Sequence, residues 1–487
     1  MNNTFAVSLT FLIYLLGMLW IGYWAYKRTS NLSDYILGGR SLGAWPSALS
    51  AGASDMSGWL LLGMPGYAYL AGWEASWLGI GLLIGTYINW LVVAPRLRDY
   101  SQAANDSLTL PEYFSNRFED KSAIRIISAI FILMFFMFYT SSGLVAGGKL
   151  FETVFGWDYT LAVTIGTLAV VSYTLFGGFL AVSWTDLVQG LLMAAALVIV
   201  PLFALTIVGQ TPNAVLADAN PNLLDMFTDG TGAALGWVGI VSLLAWGLGY
   251  FGQPHILARF KAIKDRAEVK TARRIAVTWT LIGLLGAFLV GVAGIGYFDE
   301  PLADAETVFI SLVQVLFNPF VAGILLAAIL AAIMSTADSQ LLVSSSALTE
   351  DFYRALINKD ADPKSLVTIG RTSVVIIAII AWLLALSPDN TVLGLVSYAW
   401  AGFGAAFGPA VILSLYWNRM NRFGCLAGIL VGGITVVVWG NWLSGGIFDL
   451  YEIVPGFILS TIAIVAVSLA TEAPSRAIDA KFQEVNG

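Results

Sequence analysis

The run Ala48-Leu49-Ser50-Ala51-Gly52-Ala53-Ser54-Asp55-Met56-Ser57-Gly58-Trp59 decides how this chain is read. Asp55 is the only charged side chain between Arg40 and Glu74, in a stretch otherwise apolar and long enough to cross a bilayer. A carboxylate at membrane depth costs several kcal/mol unless it faces a cavity, an ion or a partner, so it marks function by default. Gly52, Gly58 and the small residues around them favour an interrupted helix over a smooth one. The run therefore predicts a protein that handles a cation inside the membrane.

The rest of the chain agrees on the solvent. It is 58% hydrophobic and 11% charged, whereas soluble domains average roughly 25% charged residues. Apolar windows near 5–26, 44–71, 76–97, 124–150, 158–180, 186–209, 233–254, 275–298, 316–348, 367–387, 391–418, 423–444 and 450–471 follow one another. Each approaches the length of about 20 residues that a span needs, so the expectation is about thirteen transmembrane helices. The first window lacks a basic leader and reads as a retained span rather than a removed signal. Cys425 is the only cysteine, which excludes an intramolecular disulfide and a thiolate metal cluster.

Basic residues predict the orientation. With the N-terminus outside and the C-terminus cytoplasmic, every Lys and Arg except Lys149 falls in the inner connections. That set runs from Lys27 and Arg28 through Arg40, Lys121, Arg259 and Lys359 to Lys481. The outer connections are acidic, with Asp218, Asp225, Asp229, Asp299, Glu300, Asp304 and Glu306. This is the positive-inside bias. The basic loop 259–274 is explained by topology and anionic lipid, so nucleic acid is no expected partner.

A second break is written into the seventh window: Trp246-Gly247-Leu248-Gly249-Tyr250-Phe251-Gly252-Gln253-Pro254-His255. Three glycines and a proline leave backbone groups unpaired, which lipid tolerates only where the backbone lines a cavity or meets a ligand. The bland alternative is a helix that simply ends at Gly252–Pro254. Windows two and seven lie five apart and cross in opposite directions, the pattern of an inverted-repeat transporter with its site near the midplane. In window nine, Ala332, Ser335, Thr336 and Ser339 share one helical face. Hydroxyls and carbonyls suit an alkali cation; the alternative is that they bond back to their own helix. Asp338 beside them is a further embedded carboxylate.

These residues resemble the sodium/solute symporter family over nearly the entire chain. The resemblance is carried by Gly38-Gly39-Arg40-Ser41-Leu42, the Ala53-to-Trp59 segment, Thr109-Leu110-Pro111-Glu112-Tyr113-Phe114, Gly177-Gly178-Phe179-Leu180-Ala181-Val182, Thr185-Asp186 with Gln189, the Trp246-to-His255 run and Met334-Ser335-Thr336. It implies an all-α polytopic membrane protein of the leucine-transporter type, a single transmembrane domain over 1–487. The first repeat would span about 44–209 and the second about 233–418, with span 5–26 peripheral and two additional spans at 423–471. It implies sodium held by the carbonyls of Ala53, Met56 and Ala332 with the hydroxyls of Ser335 and Thr336, Asp55 and Ser57 being close. It also implies a solute pocket of Trp59, Tyr139, Trp246, Tyr250, Gln253 and Pro254.

The resemblance implies sodium-coupled symport of L-proline across a bacterial cytoplasmic membrane, with no cofactor beyond the coupling ion and lipid as surroundings. Trp246 and Tyr250 share a helical face, and an aromatic wall suits a compact apolar ring. Their alternative is a core or lipid-facing position. Another small amino acid, a monocarboxylate or a proton-coupled version remains open. Asp186 and Asp338 are expected as relay groups for a leaving cation, against a helix-start reading of Asp186. An enzyme is not expected: the protease signatures Gly-x-Ser-Gly and His-Glu-x-x-His are absent.

Overall fold

A computed structural model describes residues 3–27, 32–120, 122–174, 178–358, 360–387 and 389–486. Arg28, Lys121, Gly177 and Lys359 lie outside the described residues. The described chain is helical, and its only bridges are the isolated pairs Leu42–Ile263 and Thr228–Ala234.

Ten helices are long and apolar enough to cross a membrane among the described residues, with shorter apolar helices near 159–172, 236–252 and 305–316. The count falls below thirteen windows for local reasons. After the break at Met56–Gly58 the chain stays helical from Trp59 to Ala103, because the tight turn Gly72–Ala75 bends it without ending it. Windows five and seven fall on shorter helices. Between windows five and six the expected boundary also shifts. Tyr159–Thr174 is described up to Thr174, and Phe179–Val208 begins behind an extended Gly178, which puts Asp186 two turns inside its helix. The helix-start reading of Asp186 is therefore wrong.

Burial separates central helices from peripheral ones. Pro319–Ser346 lies in the most buried run and Val392–Tyr416 is next, with 83% and 78% of their apolar windows buried; the window of Asn3–Tyr26 is 33% buried. Leu12, Ile13 and Leu16 on that first helix are exposed, as lipid-facing side chains are. Pro319–Ser346 packs against Asn3–Tyr26, Ala44–Asp55, Ala123–Phe155 and Phe179–Val208. It thus brings the hydroxyl face of window nine to the break after Asp55.

The charges sort by end. Arg40 donates to the Lys261 carbonyl at 2.8 Å and to Ser101 at 3.0 Å; Arg125 pairs with Glu112 and Asp351. Leu42 and Lys264 exchange backbone bonds with the same neighbourhood. At the opposite, acidic end the exceptional Lys149 pairs with Asp304 at 2.5 Å and Glu306 at 2.9 Å. Glu306 also accepts the N–H groups of Val392 and Leu393, which caps the Val392–Tyr416 helix.

Candidate functional site

The break after Ala44–Asp55 is a true unwinding. Met56 leaves helical geometry (φ −85°, ψ 73°) and the Ser57 N–H turns back to the Asp55 carbonyl. Freed backbone oxygens then meet side chains from three other helices. The Ala53 carbonyl lies 2.7 Å from Ser335 Oγ and 3.3 Å from Thr336 Oγ1. Ser335 Oγ also lies 3.1 Å from the Ala332 carbonyl, so the back-bonding alternative holds in part. Four of the five expected sodium ligands thus converge as hard oxygens. Met56 is fully buried beside them in sequence.

The neighbouring carboxylate is held by aromatics. Tyr250 OH donates to Asp55 Oδ2 at 2.8 Å, and Tyr139 OH donates to the Asp55 carbonyl at 2.6 Å. Trp59 Nε1–H donates to that same carbonyl at 3.2 Å. Asp55 Oδ1 is buried with no hydrogen-bond partner among the described residues. A buried carboxylate oxygen left in this state favours an approaching cation. Trp59 and Trp246 face each other at 6.4 Å. Trp59, Tyr139, Trp246 and Tyr250 therefore gather around Asp55.

Two expected pocket residues point elsewhere. Gln253 donates to the carbonyls of Gly249 and Trp400, stitching its turn to Val392–Tyr416. Pro254 lines a separate cavity of about 30 Å³ with Leu108, Pro111 and Leu342. The glycines of this segment are likewise committed to packing. A Cβ on Gly249 would come 1.9 Å from Trp400 Nε1, and one on Gly252 would come 2.1 Å from the Phe403 carbonyl. Ala245–Gly252 is a tightened helix pressed on its neighbours, and it turns sharply only at Gln253 (φ −75°, ψ 110°).

Residues 35–432 match the sodium:solute symporter family. The chain belongs to that family. It is similar to the osmoregulated proline transporter of Bacillus subtilis, 53% identical with 96% of this chain and 95% of that protein covered. It is also similar to the sodium/proline symporter of Escherichia coli, 52% identical with 98% and 95% covered. Among solved structures, it resembles the substrate-bound outward-open state of a sodium-coupled sialic acid symporter. That match has a TM-score of 0.80 at 21% identity, covering 97% of this chain and 99% of that one. The fold is the leucine-transporter type, as expected. The chain is a multi-pass membrane transporter, not an enzyme.

Towards the basic end, this symporter family member carries a network that sequence reading did not assemble. Arg259, read from the sequence as a topology signal, is fully buried. It donates to Ser50 at 2.9 Å, to Asp186 at 3.3 Å and to Ser339 at 2.5 Å. Ser50 donates to Asp186 at 2.6 Å, and Ser339 to the Ser335 carbonyl at 2.8 Å. Asp338 instead accepts from Thr174 at 2.5 Å. Asp186 is thus linked through Ser339 to the oxygen cluster, while Asp338 faces another helix. The one clue in sequence was position: Arg259 sits four residues after His255 on the helix Pro254–Ala262 that continues the broken span.

Lys261, beyond the seventh window, is also buried at this end. It donates to the Leu108 carbonyl at 2.6 Å. Burial, with the Arg40 charge nearby, pulls its ammonium from the usual 10.5 down to about 7.

Proposed function

We propose that this chain takes up L-proline together with sodium by alternating access, inward from the acidic end. The observation that carries the reading is the convergence of Ala53, Ala332, Ser335 and Thr336 oxygens at the unwound turn, next to an Asp55 carboxylate with one free oxygen. Sodium bound there would hold the turn that also carries Trp59 and Asp55, and so order the aromatic pocket. By linkage, proline then raises sodium affinity by the same factor. One net positive charge moving inward gains about 2.3 kcal/mol per 100 mV. Met56 would supply a further carbonyl, and Ser57 lies on the same turn.

The aromatic enclosure supports a compact apolar ring, and the exposed backbone of the turn suits a zwitterion. Similarity to proteins that carry proline names supports that solute over another small amino acid or a monocarboxylate. The N-terminus outside, the C-terminus inside and the repeats at about 44–209 and 233–418 belong to the same proposal. The charge segregation supports that orientation. Asp186 serves the cation's exit through the Arg259–Ser339 link, and Asp338 flanks it on the next face.

The test is uptake of labelled L-proline into proteoliposomes at fixed pH, with and without sodium and with a panel of competing solutes. Sodium-dependent uptake blocked by excess unlabelled proline is expected. Equal rates without sodium sink the coupling, and stronger competition by another solute reassigns the substrate.

A further inference from the structure

At the acidic end a cavity of about 560 Å³ reaches down to Trp246 and Tyr451. Tyr451 precedes the helix Ile453–Ala470 and lies beyond the family match at 35–432. Its ring stacks on Trp246, with centroids 5.5 Å apart and planes at 27°. Its hydroxyl donates to the Ser397 carbonyl at 2.5 Å, and its N–H donates to Ser242 Oγ at 2.9 Å. Trp439 Nε1–H fixes the preceding Leu450 carbonyl at 2.9 Å.

These anchors have a common direction. Ser242 lies on Gly236–Leu244, which leads straight into Trp246, and Ser397 lies on Val392–Tyr416. The same Val392–Tyr416 helix carries Trp400, whose Nε1–H holds the Trp246 carbonyl at 2.7 Å. The Trp246 backbone is therefore fixed by Trp400, and its ring lies between Tyr451 and the Trp59 ring of the Asp55 pocket. The cavity is on the Tyr451 side.

We propose that Tyr451 is a positioning residue of the solute site: its ring holds Trp246 across the mouth of the pocket. It thereby sets how readily a compact amino-acid solute passes from the acidic-end cavity to Asp55. The two helices outside the repeats thus contribute to solute admission through the segment that joins them. In uptake this rests on the proposed transport of proline; in labelling it does not.

The test reports the mouth of the pocket directly. In a Ser57→Cys protein, an impermeant thiol reagent is added to intact cells, and the protein that has only buried Cys425 is the blank. Adding Tyr451→Ala or Tyr451→Leu should raise the labelling rate about tenfold, as expected for losing one aromatic pair. Tyr451→Phe keeps the ring and should stay close to the parent rate. Unchanged labelling in both the Ala and Leu proteins overturns the proposal, as does a Phe protein that labels as fast as Ala. In proteoliposomes the Ala and Leu substitutions should raise the KM for proline about tenfold while kcat holds, with Phe restoring KM. If the wild type ignores proline, the substrate reading fails and the labelling result still decides the role of Tyr451.

Discussion

The two broken segments look alike in sequence and do different work. Both mix glycine with aromatic residues inside an apolar window. At Asp55–Gly58 the chain unwinds; the Asp55 carbonyl receives Tyr139 and Trp59, and the Ala53 carbonyl just before it receives Ser335 and Thr336. At Ala245–Gly252 the chain tightens instead, and Gly249 and Gly252 let it press against Trp400 and Phe403. One break exposes backbone to a ligand; the other removes side chains so that a rigid wall can stand close. A glycine cluster alone cannot tell these apart. A carboxylate beside it can.

The comparison predicts that the first segment fails in function and the second in folding. Asp55→Asn keeps the Tyr250 hydrogen bond but removes the charge, so the sodium concentration for half-maximal uptake should rise about a hundredfold or more. Thermal stability should hold or increase, because a buried ion is gone. Gly252→Ala should behave in reverse. Overpacking against the Phe403 carbonyl should cost about 1–3 kcal/mol, read as a lower Tm, with sodium dependence intact in protein that survives. Retained stability in Gly252→Ala would break the contrast.

Smaller effects sharpen it. Tyr250→Phe leaves Asp55 without its side-chain donor, and a hydrogen bond to a charged group contributes about 1.5–3 kcal/mol. About a tenfold or greater weakening of sodium-dependent proline binding should follow, measured on purified protein. Ser335→Ala should weaken sodium more than proline in the same assay, since its hydroxyl meets the Ala53 carbonyl rather than the aromatic pocket. Equal losses for both ligands would separate Ser335 from the ion.

The smallest effect concerns buried Lys261 at the basic end, which Arg40, Asp106, Glu112 and Asp351 face. Its folded pKa, about 7, lies below the unfolded value near 10.4. The unfolded chain therefore binds the extra proton between these values, and this residue's penalty is full below pH 7 and relieved as pH rises. The Lys261 contribution to Tm should therefore rise between pH 7 and 9, read as the difference between the Tm–pH curves of the wild type and Lys261→Met, because Asp351 beside it, pushed up to about 8, acts in the opposite sense in both proteins.

Sequence made the membrane class, the Asp55 break and the hydroxyl face of Ser335 and Thr336 legible, while the pairing of that face with the Ala53 carbonyl came only from the family resemblance. Each has a local signature: apolar windows, a lone carboxylate, and hydroxyls at helical spacing. What it hid depends on contacts far apart in the chain. Arg259 sits in a basic loop and looks solvated until Asp186 and Ser339 are brought to it. Gln253 and Pro254 share the second break with Tyr250 but turn to other neighbours. Tyr451 has no local mark at all, because its role comes from stacking on Trp246 some two hundred residues earlier. Helix ends blurred where a tight turn or an extended glycine, rather than a polar loop, separates spans, as at Gly72–Ala75 and Gly178.

The proposed sodium site stands or falls with the unwound turn at Asp55. Its most direct test is the sodium dependence of proline uptake in proteoliposomes holding wild type or Asp55→Asn protein in equal folded amounts. Uptake should vanish without sodium in the wild type, and the half-maximal sodium concentration should rise about a hundredfold in the variant. An Asp55→Asn protein with the wild-type sodium curve would contradict it.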